Sequence, residues 1–246
     1  MTEHLETLAG RRIAFHRRAG QGPGVVFLGG FRSDMTGTKA VWLDDWARDR
    51  NRAFLRFDYS GHGASGGAFQ DGSIGDWFQD ARSVIEALTD GPQVLVGSSM
   101  GGWIALLIAR TMPQKVAGLV TIAAAPDFTE QGFWVGFDDA KRQALMATGS
   151  VALPSDYGDQ PYLITRRLID DGRNHLVMDR PLPLPFPVRM LQGTADPDVP
   201  IDWAMRLLDH ATGDDMRLTL VKKADHRFST PECLTLIGRA IDDVLA

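Results

Sequence analysis

Short runs of consecutive apolar, β-branched-rich residues alternate along this chain with stretches whose apolar positions recur every three or four residues. That alternation predicts an α/β protein with a mostly parallel, twisted sheet and helices on both faces. Strands are expected at Arg12–Arg17, Gly24–Leu28, Ala53–Asp58, Gln93–Val96, Val116–Ile122, Val188–Gln192 and Arg217–Val221. Trp42, Leu43 and Trp46 mark one face of a helix, and Trp77, Ala81, Val84, Ile85 and Leu88 mark another. Gly102–Ala109 reads as a third, and Leu234, Ile237, Ile241 and Leu245 as a closing amphipathic helix.

The rhythm breaks from Asp127 to Pro187. No buried strand is apparent there; Asp138–Ala147 and Tyr162–Asp171 look helical, and prolines at 181, 183, 185 and 187 lead back to the next strand. A strandless stretch of this length is usually functional. It is expected to form a helical lid, 127–187, inserted into one core domain made of 1–126 and 188–246. Phe128, Phe133, Trp134 and Phe137 would supply its apolar underside, although aromatics at such spacing pack against each other more often than they bind ligands.

The segment Gly97-Ser98-Ser99-Met100-Gly101 follows a predicted strand and precedes a predicted helix. In that context the G-x-S-x-G pattern is a nucleophile elbow, a strained turn that pushes Ser99 out above the sheet; the glycines allow the helix to pack close to the strand. A serine hydroxyl needs a base, and the base needs a carboxylate to hold its tautomer, in the chain order Ser, Asp/Glu, His. His226, just after the last predicted strand, is the candidate base. His4 and His16 precede the serine, His62 lies in a glycine loop, His175 in the lid and His210 in a helix. Asp196, after the strand that follows the lid, is the preferred acid, with Asp127 and Asp198 as alternatives; Asp225 is too close in sequence to serve its neighbour's ring.

Acyl transfer also needs two N–H donors for the developing oxyanion. One is expected from Met100 at the helix N-terminus, where the dipole favours an anion. The other is expected from Phe31, in the Gly29-Gly30-Phe31 loop after the first long core strand, with Gly30 as the fallback. Gly30, Trp103, Phe133, Trp134 and Phe137 are the expected substrate contacts. Ser99, Asp196 and His226 would then hydrolyse a carboxylic ester or thioester with a hydrophobic acyl group, without metal or cofactor. The rival readings are other chemistry on the same triad (C–C bond hydrolysis, proline-specific peptide cleavage, cofactor-free peroxidation) and a non-catalytic small-molecule receptor.

Composition narrows the picture modestly. The 246 residues suffice for one large α/β domain, and a net charge of −5 argues against nucleic acid as the main partner. A single cysteine, Cys233, leaves no internal disulfide and suits a reducing compartment. The polar, acidic N-terminus lacks the look of a secretory signal or transit peptide, and no apolar run reaches membrane-spanning length, so a cytoplasmic location is expected. Gly61-His62-Gly63-Ala64-Ser65-Gly66 matches a dinucleotide fingerprint in letters, but no helix opens after it; it reads as a tight turn beside Asp58.

Taken together, the elbow, the Gly29-Gly30-Phe31 loop, the Asp58-Tyr59-Ser60-Gly61-His62-Gly63 turn, Asp196 and His226 resemble the α/β-hydrolases over nearly the whole chain. Arg56–Gly61, Gly91–Trp103 and Asp225-His226-Arg227 resemble more closely the mitochondrial α/β-hydrolase-domain thioesterases that remove palmitoyl groups from protein cysteines, also described as acyl-glucuronide esterases. The resemblance implies an α/β-hydrolase fold with Ser99 as nucleophile, Asp196 as acid and His226 as base. The lid looks more divergent than the core, so it implies the reaction type more firmly than the substrate.

Overall fold

A computed structural model describes residues 2–154 and 161–246. The chain opens with β1 (Glu3–Glu6), β2 (Arg12–Arg18) and β3 (Gln21–Leu28), then α1 (Thr38–Asp49), β4 (Arg52–Phe57) and α2 (Ile74–Leu88). β5 (Gln93–Ser98), α3 (Met100–Thr111) and β6 (Val116–Ile122) follow. The inserted segment holds a π-helical stretch (Thr129–Trp134), α4 (Asp139–Thr148), β7 (Ser150–Leu153), β8 (Tyr162–Thr165), α5 (Arg166–Gly172) and β9 (Leu182–Pro183). β10 (Val188–Gly193), α6 (Ile201–His210), β11 (Ala211–Thr212), β12 (Met216–Val221) and α7 (Pro231–Val244) complete the chain.

Eight strands form one sheet in the order β1-β2-β4-β3-β5-β6-β10-β12. The pairings β1–β2 and β2–β4 are antiparallel and the rest are parallel. Both faces are buried, which explains the continuous apolar runs of the central strands. Val25, Phe27, Val94, Val96, Val120 and Ile122 join a layer with Leu43 and Trp46 of α1 and Ile237 and Ile241 of α7. Their alternating neighbours Val26, Leu28, Leu95 and Leu119 face Trp77 and Ile85 of α2 and Ile104 and Leu107 of α3. The side-chain period of two along each strand thus feeds two separate cores.

Two features differ from the expectation. β1 carries no apolar run: it is a mostly exposed edge strand held by pairing on one side only. The stretch Tyr162–Asp171, read as helical, is divided. Tyr162–Thr165 forms β8, paired antiparallel with β7, and the helix begins only at Arg166, where the Thr165 hydroxyl accepts the Leu168 N–H at 3.1 Å. An aromatic and β-branched tetrapeptide with a strand partner and a threonine cap outweighs helical spacing. α4 lies within one residue of its expected position.

Polar contacts hold the inserted segment together and tie it to the core. Asp127, in left-handed backbone (φ 59°), accepts the Val177 and Met178 N–H groups at 2.9 and 3.0 Å. Trp103 of α3 donates its indole N–H to the His175 carbonyl at 3.0 Å, and Asp171 accepts the Gly75 N–H at 2.7 Å.

Candidate active site

β5 runs straight into Ser99, whose backbone (φ 55°, ψ −118°) is one that L side chains rarely adopt. The strain is held from both sides: the Ser99 N–H donates to the Ile122 carbonyl at 2.9 Å, and the Ser99 carbonyl accepts the Gly102 and Ala125 N–H groups at 2.9 and 3.2 Å. The flanking glycines are sterically required. A Cβ at Gly97 would collide with the Gly101 carbonyl, and one at Gly101 with the Leu28 carbonyl. α3 begins one residue later, so its N-terminus backs the serine.

The hydroxyl of Ser99 lies 3.1 Å from His226 Nε2, and His226 Nδ1 lies 2.9 Å from Asp196 Oδ2. Asp196 follows β10, and its side chain is wholly buried. Oδ1 accepts the Asp198 and Val199 N–H groups, each at 2.9 Å, and Oδ2 accepts the Gln192 amide at 3.1 Å as well as facing His226. Burial alone would raise the pKa of this carboxyl. The hydrogen bonds from His226, Val199 and Asp198 outweigh burial and hold it below the ordinary carboxylate value.

The loop carrying His226 is fixed from several directions. Ala195 N–H donates to the Ala224 carbonyl, Lys223 N–H to Thr194 Oγ1 and Phe228 N–H to Asp225 Oδ1. The Lys39 ammonium donates to the Arg227 carbonyl. Burial, aided by the Arg227 charge, lowers the Lys39 pKa to about 8.

The alternatives to Asp196 have other partners. The Asp127 carboxylate is occupied by the inserted segment's backbone, and burial raises its pKa. Asp198 lines the cavity beside Ser99 and gives its N–H to Asp196. Asp196, Asp198 and His226 also form a group with ligand atoms within 4.8 Å of one another, a spacing that would suit a metal ion. Both Asp196 oxygens and both His226 nitrogens of that group are already in hydrogen bonds.

A cavity of about 790 Å³ opens above Ser99. Among the described residues its walls include Gly30, Phe31, Arg32, Phe128, Phe133, Tyr162, Trp203 and His226. Gly30 approaches so closely that a Cβ there would sit 3.4 Å from the Ser99 Cβ. Among the described residues, neither the Phe31 nor the Met100 N–H has a hydrogen-bond acceptor.

Three of the expected substrate contacts lie elsewhere. Trp103 is fully buried behind the cavity wall, edge-on to Phe128 at 5.6 Å. Phe137 is buried and stacked against Phe133 at 6.3 Å. Trp134 has the guanidinium groups of Arg142 and Arg173 over its ring, at 5.6 and 4.7 Å from the centroid. Apolar spacing identifies aromatics that pack together, but it does not separate the one facing a cavity from the one behind it. Tyr162 and Trp203 on the wall, and Gln192 against Asp196, belong to no sequence motif of the site. Gln192 sits at the end of β10, four residues before the acid, and Trp203 opens the helix after it, so both positions carried a signal in their nearness to Asp196.

The sequence pattern that defines the family described as alpha/beta hydrolase matches residues 25–237. Over 234 residues the chain is 34% identical to the human mitochondrial palmitoyl-protein thioesterase ABHD10, covering 95% of this chain and 76% of that one. The structure of alpha/beta hydrolase domain-containing protein 10 from mouse superimposes with a TM-score of 0.92 at 32% identity, covering 100% of this chain and 98% of that one. A putative hydrolase from Agrobacterium vitis S4 superimposes with a TM-score of 0.94 at 43% identity, covering 100% and 99% of the two chains. Among the described residues, no helix is long and apolar enough to cross a membrane.

Proposed function

This chain belongs to the alpha/beta hydrolase family, and from that premise we propose that it cleaves carboxylic esters and thioesters with hydrophobic acyl groups through an acyl-enzyme on Ser99. The observation that carries the reading is the continuous hydrogen-bonded line Ser99–His226–Asp196 under an aromatic-walled cavity.

The chemistry follows from the geometry. Asp196 faces Nδ1 of His226, which keeps the proton there and leaves Nε2 basic toward the serine. As Ser99 Oγ bonds to the acyl carbon, its proton passes to Nε2 and the carbonyl electrons move onto oxygen. The Phe31 and Met100 N–H groups receive that oxyanion, with the α3 dipole behind the second. Collapse breaks the bond to the alcohol or thiol, which leaves with the proton from His226. Water, deprotonated in turn by His226, releases the carboxylic acid and restores Ser99.

The segment 127–187 acts as a lid in this proposal, because it supplies Phe128, Gln131, Phe133 and Tyr162 to the cavity wall. The aromatic part of the wall, Phe27, Phe31, Phe128, Phe133, Tyr162 and Trp203, suits the acyl portion; the relationship to palmitoyl-protein thioesterases points to an S-acyl or O-acyl substrate with a long chain. Each further methylene buried contributes about 0.8 kcal/mol, so kcat/KM should rise about fourfold per added carbon while the chain still finds apolar wall. A p-nitrophenyl ester series from acetate upward, run beside acyl-CoA thioesters, checks this. A flat profile across chain lengths would contradict the acyl-binding assignment.

A further inference from the structure

His62 is the one buried histidine among the described residues, at 4% exposure, and the mechanism above does not use it. It sits in the glycine turn that resembles a nucleotide fingerprint in letters alone. Its Nε2 lies 3.2 Å from the Arg32 backbone nitrogen, and its Nδ1 lies 3.2 Å from the Ser60 carbonyl oxygen. A backbone N–H only donates and a carbonyl only accepts, so the two partners dictate one neutral tautomer, with the proton on Nδ1 and a bare Nε2. Burial, with help from the Arg32 charge and against the Ser60 hydrogen bond, lowers the ring's pKa to about 4. The ring is walled edge-on by Tyr59, Phe69 and Trp77.

The amide that His62 holds belongs to the turn Gly30–Ser33. The Gly30 carbonyl accepts both the N–H and the hydroxyl of Ser33, at 3.1 and 2.8 Å. Arg32 occupies left-handed backbone at φ 57°, a conformation a non-glycine residue keeps only when its surroundings enforce it. With the Gly30 carbonyl and the Arg32 N–H both engaged, the Phe31 N–H is left for a ligand beside Ser99.

We infer that His62 is a positioning residue: through the Arg32 amide its ring locks the Gly30–Ser33 turn and so aims the Phe31 N–H at the oxyanion. This rests on the serine-hydrolase reading and adds a residue to it. An apolar side chain in place of His62 would fill the space but leave the Arg32 N–H without an acceptor and the left-handed turn free to relax. Misplacement of a catalytic donor by about 1 Å can cost a hundredfold.

The test compares His62→Leu with His62→Gln, whose Oε1 reaches roughly as far as Nε2. A trifluoromethyl ketone serves as probe: Ser99 Oγ adds to its carbonyl carbon, the serine proton moves to His226, and the resulting hemiketal oxyanion depends on the same donors. The leucine variant should lose about tenfold to a hundredfold in kcat with KM within about twofold. Its affinity for the ketone should fall by the same factor, while inhibition by the carboxylic acid product stays constant, and the glutamine variant should recover most of the loss. Unchanged ketone affinity, an equal fall for ketone and product, or a glutamine variant no better than leucine overturns the inference. If the leucine variant does not fold, 15N NMR of the wild-type ring decides: a neutral Nδ1–H tautomer at neutral pH supports the inference, and an Nε2–H tautomer or a charged ring refutes it. A wild-type protein that neither hydrolyses esters nor takes up the ketone would instead bring down the serine-hydrolase reading, and this inference with it.

Discussion

Replacing Ser99 by alanine is expected to lower kcat for ester hydrolysis by about 10⁴- to 10⁶-fold while leaving the fold intact. The size of the loss follows from what remains. Binding and the two oxyanion donors still act on any water that attacks directly, and such remnants support about 10³–10⁴-fold catalysis over the uncatalysed reaction in other triad enzymes. The fold is spared because the hydroxyl's hydrogen-bond partner is His226 and not a structural group. The unusual backbone at Ser99 strains alanine no more than serine, since both carry a Cβ. Steady-state kinetics with a p-nitrophenyl ester, beside a thermal melt, separates the two effects: activity should fall by that factor and the melting temperature should hold within a few degrees. Turnover close to the wild-type rate would mean that another group attacks.

Asp196→Asn should cost about 10⁴-fold in kcat with little change in KM, through the imidazole tautomer and not through shape. Asparagine can still accept the Asp198 and Val199 N–H groups through its oxygen. Its NH2 then faces His226 Nδ1 and meets the Gln192 amide donor to donor, so Gln192 keeps only its backbone acceptors, Nδ1 must accept, the proton moves to Nε2, and Nε2 can no longer take the proton of Ser99. The pH dependence has a definite sign. The folded pKa of Asp196 is depressed, because its hydrogen bonds outweigh burial. Its contribution to stability is therefore complete above the unfolded value of about 3.9 and is lost only as pH falls through the folded value. Changes in activity between pH 5 and 8 thus do not come from this carboxylate, and Asp196→Asn should remove a component of acid sensitivity lying below about pH 4. Kinetics from pH 5 to 9 and acid-unfolding curves on both proteins check these statements.

Much of this architecture could be read from residue order because the physics involved is local. A parallel sheet buried on both faces demands β-branched runs such as Val94-Leu95-Val96 and Val116–Ile122, and these lie where they were expected. The elbow announces itself because Gly97 and Gly101 leave no room for a Cβ. Ser99, Asp196 and His226 each follow a strand, so once the strands are assigned they fall on the same edge of the sheet. What escaped reading depends on partners far along the chain. β8 exists because β7 pairs with it, and β1 because β2 offers it an edge. Whether an aromatic of the inserted segment faces the cavity is settled by packing, which places Phe133 and Tyr162 on the wall and hides Phe137 behind. The role of His62 was invisible for the same reason, since its acceptor function is defined by a turn thirty residues earlier.

The central claim is that His226 makes the Ser99 hydroxyl nucleophilic, and a fluorophosphonate probe followed by peptide mass spectrometry tests it most directly. The account predicts a single adduct, on the peptide containing Ser99, formed rapidly in the wild-type protein and slowed by orders of magnitude in His226→Ala. An adduct on another residue, or labelling of Ser99 at an equal rate without the imidazole, would contradict it.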